Sequence, residues 1–135
     1  MADHMTNERH IASDLFPPPG YAHAVSAGDG RIVRCAGACP IDEEGRVVDG
    51  GVAAQTLQCL SNLRSQLAAA GAEFADVVQA RIYVATMTRD DLIQAWRVVE
   101  ETPVGAGACS LLGVAVLAYE RQVVEIEVVA VVAPR

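Results

Sequence analysis

The chain has 135 residues, room for one domain and one core. Its formal net charge is -7, and its ten Lys/Arg positions are all arginine. An acidic chain with no basic run is poorly suited to phosphate contacts, so nucleic acid and an anionic membrane surface are disfavoured as partners.

In chain order, residues 1–16 are polar and show no period, and read as a mobile N-terminal tail ahead of a single domain over 17–135. Pro17-Pro18-Pro19-Gly20 forms a stiff entry. Tyr21 to Ala27 and Arg31 to Ala38 are apolar-rich runs around Gly28-Asp29-Gly30, which predicts a hairpin. Arg46-Val47-Val48 reads as a short strand between two turns, Asp42-Glu43-Glu44-Gly45 and Asp49-Gly50-Gly51. Val52 to Ala70 is the clearest helix. Leu57, Leu60, Leu63 and Leu67 mark its apolar stripe, Gln55, Gln58, Asn62, Arg64 and Ser65 fall largely off it, and Gly71 follows as a cap.

Asp76 to Met87 alternates and is β-branched, which predicts a strand. Thr88 to Glu101 reads as a second helix, with Thr88 as N-cap and an apolar face of Leu92, Ala95, Trp96 and Val99. Ala108 to Ala118 and Gln122 to Val132 are continuous apolar runs, expected as strands buried on both faces. The order β-β-β-α-β-α-β-β implies an α+β fold: a mixed sheet with two helices on one face. The other face is apolar too. With 52% hydrophobic residues, the chain is expected to bury that face against copies of itself.

The cysteines stand at 35, 39, 59 and 109. No signal-peptide pattern or uninterrupted membrane-length apolar run is visible, so free thiols in the cytoplasm are the expectation. Cys35 and Cys39, four apart on one extended strand, would lie about 13 Å apart, beyond the roughly 7 Å that a disulfide allows. They also lack zinc-site spacing, and no metal or cofactor is expected.

Ala108-Cys109-Ser110-Leu111-Leu112, a turn, and Val124-Glu125-Ile126-Glu127 resemble the C-terminal signature of the RidA/YjgF family of enamine/imine deaminases. Gly20-Tyr21-Ala22-His23-Ala24-Val25, Ala36-Gly37-Ala38-Cys39-Pro40, Leu60-Ser61-Asn62-Leu63, Ala69-Ala70-Gly71 and Asp76-Val77-Val78 extend the resemblance from about residue 20 to 132. It implies a chorismate-mutase-like fold and a homotrimer with clefts between subunits. The implied ligands are small imino acids or their keto products. In active members an arginine grips the substrate carboxylate, and a glutamate with backbone groups places the attacking water.

Carried over by position, Glu125 is the implied catalytic glutamate and Tyr21 a cleft residue. Ala36 and Ala38 stand where the family has serine and glutamine, and Cys109 stands where it has the arginine. A thiol offers one weak donor and no charge in place of a guanidinium. Hydrolysis of ordinary 2-imino acids is therefore expected to be much weakened. Arg34, on one strand face with Ala36 and Ala38, is the substitute cation to consider, with Arg81 behind it; a solvated or ion-paired arginine is the plainer reading of Arg34. Cys109 reads as apolar filler before it reads as a nucleophile, which would need a nearby cation or base. Cys35 and Cys39, opposite Ala36, are expected under the helices, Cys59 in packing and Trp96 as a core anchor. His23 reads as a surface histidine, and Glu127 as solvated or paired with Arg121 or Arg135.

The sequence thus points to a trimeric protein acting on, or binding, a small imine, enamine or carbonyl metabolite in an inter-subunit cleft. The alternative is a non-catalytic trimer that binds a metabolite or a partner. A ribonuclease reading, attached to some relatives, is opposed by the acidic charge.

Overall fold

The computed structural model describes residues 7–134. Its elements run β1 (Glu8–His10), β2 (Ala24–Ser26), β3 (Arg31–Arg34), α1 (Gly51–Ala69), β4 (Val77–Ala85), α2 (Arg89–Val99), β5 (Ala108–Val114) and β6 (Val124–Val132). The predicted order of strands and helices is present, but its first three strands are not the predicted three. Glu8–His10, inside the presumed tail, is a strand, whereas Arg46–Val48 contributes only an isolated bridge between Ile41 and Val47. Residues 1–6 of the presumed tail lie outside the described residues.

The predicted hairpin is replaced by two separate pairings. β2 pairs antiparallel with β1, and β3 pairs antiparallel with β6. The Gly28-Asp29-Gly30 segment carries the chain from a two-stranded ribbon into the main sheet. Gly30 is needed there, because a Cβ would stand 2.7 Å from the Val132 carbonyl oxygen. The main sheet has the order β3-β6-β4-β5, with β4 and β5 parallel and the other neighbours antiparallel.

Helix α1 closes at Gly71, as predicted. Gly71 is left-handed at φ 76°, its N–H reaches the Ala68 carbonyl, and the Ala72 N–H reaches back to Leu67. That is a Schellman stop, which a glycine adopts without a Cβ penalty. The buried face is rotated from the predicted stripe. It comprises Val52, Gln55, Thr56, Cys59, Leu60, Leu63 and Leu67, while Leu57 is 60% exposed. Thr88 caps α2 through the Asp91 N–H, 3.4 Å away.

The core lies between helices and sheet. Val124, Ile126, Val128 and Ala130 from β6 and Ala80, Ile82 and Val84 from β4 meet Leu60, Leu63, Leu67, Ala95 and Val99. Each large aliphatic side chain there contributes about 1.5–3 kcal/mol. The strands alternate, so the opposite face carries Gln79, Arg81, Tyr83, Glu125, Glu127 and Val129, none of them fully buried. The expectation that the last two strands are buried on both faces is therefore corrected: β6 is covered on one face only, and β5 is the sheet edge with no fully buried residue.

Candidate functional site

Glu125 sits where β3 loses its regularity. Arg34 pairs with Val129 and Ala38 bridges to Ile126, so four steps on one strand oppose three on the other. The extra residue is a bulge, and a bulge inverts the alternation beyond it. Ala38 is thereby turned into the core, 1% exposed, and Cys39 is brought to Glu125. This corrects two expectations. Ala38 does not share a face with Arg34, and Cys39 is not under the helices. Ala36 is exposed at the bulge, and its carbonyl accepts from Gln66 Nε2 at 3.0 Å.

One oxygen of the Glu125 carboxylate is held. Oε1 accepts from Gln122 Nε2 at 3.2 Å and from the Cys39 thiol at 3.4 Å. No hydrogen bond to Oε2 is made among the described residues. Gly37 lies against the same carboxylate, and a Cβ at that position would stand 2.6 Å from the carboxyl carbon. Burial, and then the bond to Glu125, push the Cys39 thiol up, so it acts here as a neutral donor. Asn62 fixes the segment from below by donating to the carbonyls of Cys39 at 2.7 Å and Ile41 at 2.8 Å. Gln122 and Gly37 are functional candidates that the sequence reading passed over. The Gly in Ala36-Gly37-Ala38 was the available signal.

Tyr21 and Cys109 meet elsewhere, at the β5 edge. With Pro19, Trp96 and Leu111 they line a cavity of about 300 Å³. Tyr21 and Trp96 pack edge to face, ring centroids 6.2 Å apart. Trp96 is thus a half-buried wall of this cavity as well as a contact of the core. The Cys109 thiol donates to the Val104 carbonyl at 3.4 Å, and burial pushes it up to about 11, partly offset by the charge of Arg9. Such a thiol is neutral at physiological pH, which favours filler over nucleophile.

Arg34 lines a third cavity, of about 460 Å³, with Ile32, Gln79, Arg81 and Glu127 among its walls. It belongs to the open sheet face but stands four residues of β6 away from Glu125, about 13 Å along the strand. Arg81 is engaged by Glu127 at 3.6 Å, and Glu127 also accepts from the Tyr83 hydroxyl. That bond raises the Tyr83 phenol above its ordinary range. Glu127 thus pairs with Arg81 and not, as expected, with Arg121, which faces Asp49 at 3.3 Å; Arg135 lies outside the described residues. His23 accepts from the Ala12 N–H through Nδ1 at 3.0 Å and so helps hold the N-terminal segment.

Cys109 and Glu125 are on opposite faces of the sheet. Cys109 pairs with Ala80 and, across it, Val128, both buried under the helices. Glu125 pairs with Tyr83 and, across it, Leu112, on the open face. One chain therefore does not bring Tyr21 and Cys109 to Glu125. Among the described residues, no three His, Cys, Asp or Glu side chains converge as a metal site, and no helix is long and apolar enough to cross a membrane.

The family model described as endoribonuclease L-PSP matches residues 13–132. The mitochondrial protein mmf1 of Schizosaccharomyces pombe is 32% identical over 130 residues, covering 93% of this chain and 77% of that protein. Among solved structures, the Rid-family protein of unknown function YyfB from Yersinia pestis is similar, with a TM-score of 0.82 and 34% identity over 95% of this chain and all of that one. A YjgF/YER057c/UK114-family member from Mycobacterium tuberculosis has a TM-score of 0.62 and 30% identity over 94% of this chain and all of that one. With its α+β arrangement and a family match spanning nearly the whole domain, this chain belongs to the endoribonuclease L-PSP family, the Rid/YjgF proteins.

Proposed function

We propose that this protein acts on a small C=N or carbonyl metabolite in a cleft between subunits of a homotrimer, with Glu125 orienting and deprotonating the attacking water. The observation that carries this reading is the Glu125 carboxylate itself. One oxygen is held by Gln122 and Cys39, and the other, packed against Gly37, makes no hydrogen bond among the described residues. A fixed carboxylate with one free oxygen is the geometry a general base needs. Hydroxide from that water would add to the C=N carbon, the nitrogen would take up protons, and the C–N bond would break to give a carbonyl and ammonia. Tyr21 and Cys109 of a neighbouring subunit would then shape the ligand pocket, because within one chain they face away from Glu125. Assembly through the open sheet face would also cover Ile32 and Leu112, both at least 40% exposed in the single chain.

The test is ammonia release from freshly generated 2-iminobutanoate, paired with sedimentation. The wild type is expected to sediment as a trimer, and Glu125→Gln to lose about 10²–10⁴-fold in turnover while remaining trimeric. Equal turnover in the two would remove Glu125 from the reaction. The alternative, a binding protein without turnover, is favoured by the uncharged Cys109. Saturable ligand binding with no ammonia release would establish it. The four free thiols suit a reducing compartment such as the cytoplasm. The relative in S. pombe is mitochondrial by name, and free thiols do not separate the two.

A further inference from the structure

We infer that Arg9, delivered by the N-terminal strand β1 to the rim of the Tyr21–Trp96–Cys109 cavity, is the cation that holds the carboxylate of a small ligand whose apolar body fills that cavity. The inference rests on reading this cavity as a small-carbonyl site and adds the charge that such a ligand must carry.

The geometry is specific. Arg9 Nε donates to the Ala106 carbonyl at 2.6 Å, and Nη2 donates to the Gly20 carbonyl at 2.9 Å. Gly20 lies between two cavity residues, Pro19 and Tyr21, and Ala106 comes three residues before a third, Cys109. The same two segments are joined by the Ala22 N–H, which donates to the Gly107 carbonyl at 3.0 Å. The guanidinium is therefore pinned between the chain segment that carries Pro19 and Tyr21 and the one that leads to Cys109. Its side-on edge is occupied by the two carbonyls. Its end-on edge, Nη1 and the second hydrogen of Nη2, makes no hydrogen bond among the described residues. That edge presents two parallel donors, the arrangement that matches a carboxylate.

The charge is uncommitted as well. Ion pairs among the described residues engage Arg46, Arg81 and Arg121, and none engages Arg9, in a chain with a net charge of -7. Its field reaches the cavity, since it is the Arg9 charge that draws the Cys109 thiol down against burial. The walls are otherwise apolar or aromatic: Pro19, Tyr21, Trp96, Cys109 and Leu111. A cation on the rim of an apolar pocket of about 300 Å³ selects a short aliphatic carboxylate, such as a 2-oxo acid, over its neutral amide. The expected weakness toward carboxylate-bearing ligands rested on position 109 alone. Arg9 supplies the missing charge from another part of the chain.

Trp96 is the only tryptophan and lines the cavity, so its fluorescence reports occupancy directly. The experiment titrates 2-oxobutanoate and 2-oxobutanamide into the full-length wild type, Arg9→Ala, Arg9→Lys, and Arg9→Ala combined with Cys109→Arg, each checked for thermal unfolding. The wild type should bind the acid saturably and more tightly than the amide. Arg9→Ala should weaken the acid by at least about tenfold and leave the amide unchanged. Arg9→Lys keeps the stem and the charge, and should fall between. The double variant should recover acid binding, because its new guanidinium enters the same cavity. Acid binding that is the same in wild type, Arg9→Ala and Arg9→Lys would overturn the role of Arg9 while leaving the cavity a ligand site. No saturable change with either compound in the wild type would overturn the small-carbonyl reading and this inference with it.

Discussion

Gln55 offers the clearest test of how the fold holds the segment that carries the site. It is 4% exposed and makes three backbone contacts outside its own helix. Its amide nitrogen donates to the carbonyls of Val48 at 3.1 Å and Arg121 at 3.0 Å, and its oxygen accepts from the Val123 N–H at 2.7 Å. Gln55→Leu keeps the bulk and removes all three. An unpaired buried backbone group costs about 1–3 kcal/mol. Val48, Arg121 and Val123 are not themselves fully buried, so water recovers part of each loss and the lower figure applies, about 3 kcal/mol in all. Gln55→Glu keeps the acceptor for Val123 but turns a carboxylate toward two carbonyl oxygens, and should be at least as damaging. The assay is equilibrium urea unfolding at fixed protein concentration, because association would couple to folding. With a slope of about 1–3 kcal/mol/M, the midpoint should fall by roughly 1–3 M. A Gln55→Leu midpoint within about 0.3 M of wild type would refute the claim that this amide anchors residues 121–123.

Two further outcomes follow from the site itself. Gly37→Ala places a methyl against the flexible end of Glu125; stability by urea unfolding should change by less than about 1 kcal/mol, since the carboxylate can swing aside, while turnover or ligand affinity falls as far as in Glu125→Gln. The Cys109 thiol, raised to about 11, should be alkylated slowly by iodoacetamide at pH 7.5, with a thiolate fraction of roughly 3 × 10⁻⁴; peptide mass spectrometry should show the rate climbing about tenfold per pH unit from 8 to 10, and a plateau below pH 9 would show a lowered thiol instead. The sign for stability agrees. With a folded value above the unfolded one, the contribution of the protonated thiol is complete below about pH 9 and is lost as pH rises toward 11.

Much of the fold was legible because local signals agreed with packing. Gly71 stops α1, Thr88 starts α2, and β4 alternates from Gln79 on as its sequence does. The misses share a physical origin in long-range pairing. Glu8–His10 has no strand signature of its own and becomes a strand because β2 lies beside it. Leu57 and Gln55 exchange burial because α1 is oriented by the carbonyls and N–H groups that Gln55 satisfies, a demand that no hydrophobic period expresses. At the site, the proximity of Cys39 to Glu125 depends on one unpaired residue in the bulge at 35–37. A one-residue slip reverses every side chain beyond it, so a reading that assumed regular alternation placed Cys39 and Ala38 on the wrong faces together.

The same alternation constrains what a single chain can do. Cys109 and Leu111 point toward α2, while Glu125 and Tyr83 point to the other side of the sheet. A ligand small enough for a cavity of about 300 Å³ cannot reach around the sheet edge to touch both. Chemistry that uses Glu125 together with the aromatic cavity therefore requires two copies, one presenting the open face and the other the β5 edge. Such a contact is heterologous, and a heterologous contact that closes on itself generates a ring. A ligand shared across that contact would bind the assembled form and not the separate chains, so ligand and assembly would stabilise one another by mass action. The proposed role of Arg9 fits this arrangement, since its guanidinium is held within the same chain by the Ala106 and Gly20 carbonyls, next to the cavity residues Pro19 and Tyr21. The neighbour would then need to contribute only the carboxylate that handles water.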